Sequence, residues 1–165
     1  DSMRASVKLA LFGLLILAAA ATVYALWPVQ VVQLESDGQV VHRILLPGGG
    51  EIHLDYQHSV VRAPVKEVFH LAGSDSFVLV RTEHGAFGAG LPTEHFGEFR
   101  QDGDRYVIGG INRLLPEIPL RVSAGSEQKL TVPDSSEVAL LDLVEAGSLV
   151  IITARKAMRW RLFFR

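Results

Sequence analysis

The sequence predicts a mainly β protein in which one N-terminal transmembrane helix precedes a small antiparallel β sandwich or barrel. Three observations support this class: an uncharged apolar run at residues 9–27, alternating apolar residues between turn formers after it, and no cysteine in 165 residues. A helix needs roughly 20 residues to cross the hydrocarbon core. We therefore divide the chain into an anchor, residues 1–28, an extracytoplasmic β domain, residues 29–154, and a basic aromatic tail, residues 155–165.

The anchor also predicts an orientation. Arg4 and Lys8 precede the apolar run, and short positively charged flanks stay on the cytoplasmic side of a membrane. A cleaved secretory signal is the alternative, because the small residues at 18–21 or 23–25 are compatible with a cleavage site. The run is longer than the roughly 7 to 15 residues of a signal core, and its aromatic end suits the membrane interface, which favours a retained anchor.

One face of the predicted helix carries small residues at helical spacing. Close approach of helices in lipid depends on such residues, since van der Waals fit drives their association. A plain transmembrane anchor without helix packing is the simpler interpretation, because alanine is common in these segments. The residues assigned to helix packing are Ala18, Ala21, Thr22 and Ala25.

The β domain begins with its clearest signal, a hairpin around Asp37 and Gly38 between two alternating runs, because an Asp-Gly pair adopts the positive φ angles of a tight turn. Residues 113–118 are compatible with a short helix, and residues 137–145 with a turn or two. Neither changes the class. The further strand candidates are residues 51–58, 65–71, 76–82, 105–108, 128–132 and 149–153.

Composition excludes several functions. Residues 28–154 contain nine basic and 17 acidic residues, a balance of −8, so we expect no nucleic-acid partner. Without cysteine there is neither a disulfide scaffold nor thiol chemistry. The six histidines lack the spacing of metal ligands, and no Gly-x-Ser-x-Gly nucleophile motif occurs. We expect no metal, no cofactor and no catalytic residue.

Two ionisable residues interrupt apolar rows. The period of two along 51–58 places Tyr56 and His58 on the face of Leu54, and Glu67 lies on the apolar side of the next strand. If 59–64 is a hairpin loop, His58 lies diagonal to Glu67 at roughly 7 to 8 Å. A buried carboxylate needs a partner, so we expect Glu67 to pair with Tyr56, His58, Arg62 or a loop amide.

Two interpretations of this polar cluster stay open. It is either a structural clamp that fixes strand register or the floor of a pocket for a small anion. In the second case a glycine-rich segment after residue 84 would complete the pocket with backbone N–H groups. The candidate residues for both interpretations are Tyr56, His58, Ser59, Arg62, Glu67, Phe87, Gly88 and Gly90.

The tail, residues 155–165, combines five cations with three aromatic side chains. Such a segment is typical of a membrane interface, where it would contact anionic lipid headgroups beside the helix. A final strand with arginines on its solvent face is an equal alternative. The residues assigned to the membrane surface are Arg155, Lys156, Arg159, Trp160, Arg161 and Phe163.

Three motifs follow one another in the β domain: Tyr56-x-His58-Ser59-Val60, Pro64-Val65-x-Glu67-x-Phe69 and Phe87-Gly88-Ala89-Gly90-Leu91-Pro92. Through these motifs the sequence resembles, over about residues 31–153, the bacterial family called domain of unknown function 1850. Many members have serine where this sequence has Ala86, and the alanine argues against a nucleophile at this position.

The resemblance implies a function that composition and spacing do not. Members accompany TRAP transporters of the TAXI type, which implies a non-enzymatic accessory subunit in a bacterial inner membrane with a periplasmic domain. Its partners would be the integral membrane subunit or the periplasmic substrate-binding protein, together with membrane lipid. The alternatives are a membrane-tethered binding module for a small anionic ligand and, last, an enzyme using Glu67 and His58 as acid and base.

Overall fold

The computed structural model describes residues 2–85 and 98–163. One long helix is followed by a β domain and a short C-terminal 3₁₀ helix. The elements are α1 (Ser2–Leu26), β1 (Pro28–Ser36), β2 (Gln39–Leu45), β3 (Glu51–Gln57), β4 (Pro64–Ala72), β5 (Ser76–His84), β6 (Glu98–Asp102), β7 (Arg105–Leu115), β8 (Ile118–Arg121), β9 (Lys129–Val132), β10 (Ser136–Ala139) and β11 (Leu149–Met158), with 3₁₀ helices at Leu140–Asp142 and Arg159–Leu162.

The strands form two antiparallel sheets. The small sheet has the order β2-β1-β11-β8, and the large sheet has the order β10-β9-β3-β4-β5-β7-β6. Because the described strands form two sheets that do not close on one another, the fold is a sandwich, which confirms the predicted class and decides against a barrel.

Both sheets contribute to one hydrophobic core. Alternate residues of each strand point inward, so each sheet supplies one apolar face. Fully or almost fully buried core side chains are Val32, Leu34, Ile44 and Ile152 from the small sheet, and Ile52, Leu54, Phe69, Phe77 and Leu130 from the large sheet.

The predicted first hairpin is confirmed. Asp37 and Gly38 have φ angles of 51° and 73°, so the two-residue turn takes the primed geometry that matches strand twist. The short helix predicted at residues 113–118 is wrong. Leu114 and Leu115 continue β7 and pair with β5, because pairing with an inner strand outweighs a weak local preference.

The β4–β5 turn lies near the end of the helix. The Gln30 side-chain amide donates to the Ser74 carbonyl at 2.8 Å, and Gln30 is two residues beyond the first residue of β1. The opposite end of β4, at Pro64, is about 26 Å from that turn at 3.3 Å per residue. We call the Ser74 side the near end of the large sheet and the Pro64 side its far end.

Strand β11 extends further than the strand predicted at residues 149–153. It runs to Met158 and pairs with β1 from Pro28 to Ser36. The first four residues of the segment assigned to the tail are therefore strand residues, and the 3₁₀ helix follows them directly.

Candidate functional site

The centre of the polar cluster is a contact between Tyr56 on β3 and Glu67 on β4. Leu54 lies opposite Glu67, and Tyr56 lies opposite Val65, so both polar side chains share the inner face of the sheet with buried Leu54. The Tyr56 hydroxyl donates to Glu67 Oε1 at 3.2 Å. The structure thus brings together two of the residues selected from the sequence.

Burial changes the acid chemistry of this pair. It raises the pKa of the Glu67 carboxyl, and the Tyr56 hydrogen bond and the charge of Arg113 offset this only in part. Burial, together with the neighbouring Glu67 charge, also raises the pKa of the Tyr56 hydroxyl. Glu67 therefore keeps its proton to a higher pH than an exposed glutamate does, which lowers the cost of placing it on an apolar face.

His58 orders a loop. Strand β3 ends at Gln57, and residues 58–63 form what we call the far loop. The His58 imidazole Nδ1 accepts the backbone N–H groups of Val60 at 3.2 Å and Val61 at 3.5 Å. The His58 N–H donates to the Ala63 carbonyl at 2.9 Å. Since Nδ1 accepts, the ring proton of neutral His58 is assigned to Nε2.

Arg62 fixes the far loop to the turn before β9. It has a φ of 55°, and its guanidinium donates to the Gly125 carbonyl at 3.0 Å. The neighbouring Gln57 N–H donates to the Ser126 carbonyl at 2.7 Å. Ser59 is exposed, and Val60 is 74% exposed. The hydrogen bonds of His58 and Arg62 thus present a fixed loop with an apolar tip.

The second half of the predicted pocket is described only at its start. Gly85 donates to the Pro64 carbonyl at 2.8 Å, and a Cβ there would lie 2.6 Å from the Pro64 ring, so glycine is required for this approach. Burial, together with nearby His58, lowers the pKa of His84, which is not among the candidate site residues chosen from the sequence. The candidates Phe87, Gly88 and Gly90 lie outside the described residues.

A shallow groove of about 120 Å³ borders Gly85. It contains Lys66 and Arg105, but Lys66 lies 3.6 Å from Asp55, and Arg105 lies 3.2 Å from Glu83. Each of these cations already faces a carboxylate, so the groove does not favour an anion. No cluster of three His, Asp or Glu side chains suited to a metal occurs within residues 2–85 and 98–163.

The helix is long and apolar enough to cross a membrane. Its candidate span, Ser6–Leu26, has 21 residues, and an 18-residue stretch within it has a mean hydropathy of 2.4. By length and composition it suggests a membrane anchor or a signal sequence. Ala18, Ala21 and Thr22 are exposed, and Ala25 is half-buried. The Thr22 hydroxyl donates to the Ala18 carbonyl at 2.9 Å, so its polar group is satisfied within the helix.

The C-terminal 3₁₀ helix contacts the end of α1 through Arg159. The Arg159 guanidinium donates to the Tyr24 hydroxyl at 2.7 Å and lies 4.3 Å from the centre of the Tyr24 ring. The Arg159 N–H donates to the Trp27 carbonyl at 3.1 Å. We call these three contacts the Arg159 clamp. They connect two ends of the chain that are distant in sequence.

The other residues assigned to the membrane surface lie around this clamp. Arg155 and Lys156 are exposed on β11 beside β1. The Arg161 guanidinium lies 5.5 Å from the centre of the Trp160 ring. Phe163 is 75% exposed. Cationic and aromatic side chains thus surround the point where the helix enters the domain.

Comparison with known families identifies the domain. The family model described as "Domain of unknown function (DUF1850)" matches residues 52–138, which is more than half of the chain. The chain belongs to the DUF1850 family. The match begins in β3 and ends in β10, so the DUF1850 region contains the polar cluster and lies apart from the helix. The family predicted from the three motifs is confirmed, and neither the curated proteins nor the solved structures gave a match.

Proposed function

We propose that this DUF1850 protein is a membrane-anchored accessory subunit of a TAXI-type TRAP solute transporter. Its helix spans a bacterial inner membrane with the N-terminus in the cytoplasm, and its β domain lies in the periplasm. It acts by docking: the helix packs against the membrane subunit, and the domain contacts the soluble substrate-binding protein.

The Arg159 clamp is the observation that carries the proposal. A flexible tether would leave the domain free to rotate above the membrane, whereas the clamp and the β1–β11 pairing join the domain to the last turn of the helix. A helix fixed against a membrane subunit would then fix the direction of the domain. The clamp also supports retention of the helix, because cleavage near residue 25 would remove Tyr24.

The far end of the large sheet has features that favour contact with a soluble partner protein. It lies about 26 Å along β4 from the near end, and the near end contacts Gln30 of β1, four residues after the last residue of the helix. The far loop carries the exposed Val60 on a backbone that His58 and Arg62 hold in place. A preformed apolar tip loses little conformational entropy when a partner binds.

Co-purification tests the helix contact. Ala21→Phe places a large side chain on the small-residue face, and Ala20→Phe makes the same substitution on the opposite face of the helix. After mild detergent extraction, we expect the membrane subunit to accompany the wild-type chain and Ala20→Phe and to be lost from Ala21→Phe. A wild-type chain that migrates alone, with the transporter elsewhere in the gradient, would contradict the proposal.

Intact mass measurement tests the anchor separately. We expect the chain extracted from membranes to retain the helix, because the Arg159 clamp uses Tyr24 and Trp27. A mature protein that begins near residue 26 would show that the helix is a signal sequence, and the helix-mediated part of the proposal would then be wrong.

A tethered binding module for a small anion is the less supported function. The cations of the groove beside Gly85 already face carboxylates, and the pKa of the Glu67 carboxyl is raised by burial in an apolar face. The cations of this groove and the Glu67 carboxyl therefore need no bound anion to balance or pair with them.

A further inference from the structure

A second groove lies on the small sheet, away from the Tyr56–Glu67 pair. It has a volume of about 180 Å³ and runs between the edge strand β2 and the chain after β11. Four consecutive residues of β2 line one side, and the end of the C-terminal 3₁₀ helix with the next residue lines the other. The lining residues are Val40, Val41, His42, Arg43, Arg161, Leu162 and Phe163.

The polar part of this groove is suited to an anion. Arg43 and Arg161 come from opposite sides of it. Arg43 Nε donates to Gln33 Oε1 at 2.8 Å, which orients the guanidinium, and the Gln33 amide donates to Glu35 at 2.7 Å. The Glu35 carboxylate on the neighbouring strand thus interacts with the Gln33 amide. An edge strand also presents backbone N–H groups outside the sheet, and guanidinium and N–H groups together form a phosphate site.

The apolar part indicates which anion. Phe163 borders the groove and is 75% exposed, which is unfavourable in water. The same 3₁₀ helix contacts the end of α1 through Arg159 and lines the groove with Arg161 and Leu162, so this side of the groove is two to three residues along the chain from the contact with the apolar helix. A small soluble anion would gain nothing from contact with an exposed phenyl ring. A phospholipid would, because its phosphate is joined to acyl chains that pack against apolar side chains.

We propose that the groove between β2 and the C-terminal segment binds the headgroup phosphate of an anionic phospholipid. Arg43 and Arg161 contact the phosphate, and Phe163 packs against the upper part of an acyl chain. The inference rests on the membrane anchor of the proposed function but not on the transporter, so it survives if co-purification fails. It adds Arg43, on β2, to the membrane-surface residues that the sequence identified in the tail.

The test uses the full chain, delipidated in neutral detergent micelles and titrated with phosphatidylglycerol while native mass spectrometry counts bound lipid. We expect saturation at one phosphatidylglycerol per chain and much weaker binding of phosphatidylcholine. Arg161→Gln and Arg43→Gln should each weaken binding at least fivefold. Arg100→Gln is the matched control, because Arg100 is an exposed arginine of β6 on the other sheet.

Several outcomes would overturn the proposal. Equal binding of the two lipids, or binding that never saturates, would show only general adsorption to apolar surface. Displacement by millimolar inorganic phosphate would show a site for a free anion. Arg161→Gln keeps the test valid if Arg43→Gln disturbs the Gln33 contact, because the contact found for Arg161 is with Trp160 of its own segment. Unchanged binding in Arg161→Gln would therefore refute the proposed site.

Discussion

The Arg159 clamp predicts a measurable local stability at the junction of helix and domain. Tyr24→Phe removes the hydroxyl that accepts from the guanidinium at 2.7 Å and keeps the ring 4.3 Å away. Tyr24→Ala removes both contacts. A hydrogen bond contributes about 1 kcal/mol net, and a cation–π contact at an exposed site about 0.5–1 kcal/mol. The clamp should therefore lose about 1 kcal/mol in the first variant and about 2 kcal/mol in the second.

Hydrogen exchange of the Arg159 amide measures this loss, because that N–H donates to the Trp27 carbonyl at 3.1 Å. Its protection reports local opening of the junction. A loss of about 1 kcal/mol speeds exchange about fivefold, and a loss of about 2 kcal/mol about thirtyfold. Both substitutions leave residue 159 unchanged, so its intrinsic exchange rate needs no correction.

Val23→Ala is the control, since Val23 is also an exposed residue of the last helical turns. It should leave the Arg159 amide protected. Equal protection in the wild type, Tyr24→Phe and Tyr24→Ala would refute the reasoning, because the side-chain contacts would then contribute nothing to holding the helix and the domain together.

Three further predictions concern the large sheet. Glu67→Gln should raise the free energy of unfolding, and the difference from the wild type should grow with pH. The pKa of Glu67 is raised in the folded state, so the folded wild type binds this proton more tightly than the unfolded chain does. The wild type therefore loses stability as pH rises from the ordinary pKa towards the folded-state pKa, by at most about 1.4 kcal/mol per pH unit. Thermal unfolding of both chains between pH 4 and 8 measures the difference, and a constant difference would contradict it. Gly85→Ala should cost about 1–3 kcal/mol by overpacking, because its Cβ would lie 2.6 Å from the Pro64 ring; Gly48→Ala, with open space around it, should have almost the same melting temperature as the wild type. His58→Ala should speed hydrogen exchange of the two far-loop N–H groups that donate to the imidazole, by roughly two- to tenfold. His58→Asn keeps a side-chain acceptor and should restore part of the protection. Equal exchange in all three chains would show that His58 does not order this loop.

Local patterns explain which parts of the fold were predictable. Asp37 and Gly38 identify a hairpin without any distant contact, and the period of two places Tyr56 and Glu67 on one inner face before their register is known. The expectation for His58 assumed that β3 continues through it. Because the strand ends at Gln57, the His58 imidazole turns to its own loop and accepts backbone N–H groups there.

Contacts between distant segments explain the rest. For residues 155–158 the composition left a membrane-surface tail and a final strand as equal alternatives, and the pairing with Pro28 to Val31 that makes them strand residues lies more than 100 residues away in sequence. The Arg159–Tyr24 hydrogen bond joins residues 135 positions apart, so no sequence window contains it. Arg43 could not be selected from the sequence, because it lines the same groove as Arg161 only in the tertiary structure.

The pairing of the first strand with the last has a consequence for the order in which this protein folds. Pro28 and Met158 are partners across about 130 residues, whereas β3, β4 and β5 pair through short connections. Closing a long loop costs more chain entropy than closing a short one, and distant pairings slow folding. During synthesis β1 emerges early but has to wait for β11, so the small sheet is completed last. A nascent chain that stops before β11 would retain the β3–β5 hairpins yet lack the strand that joins β1 to β8.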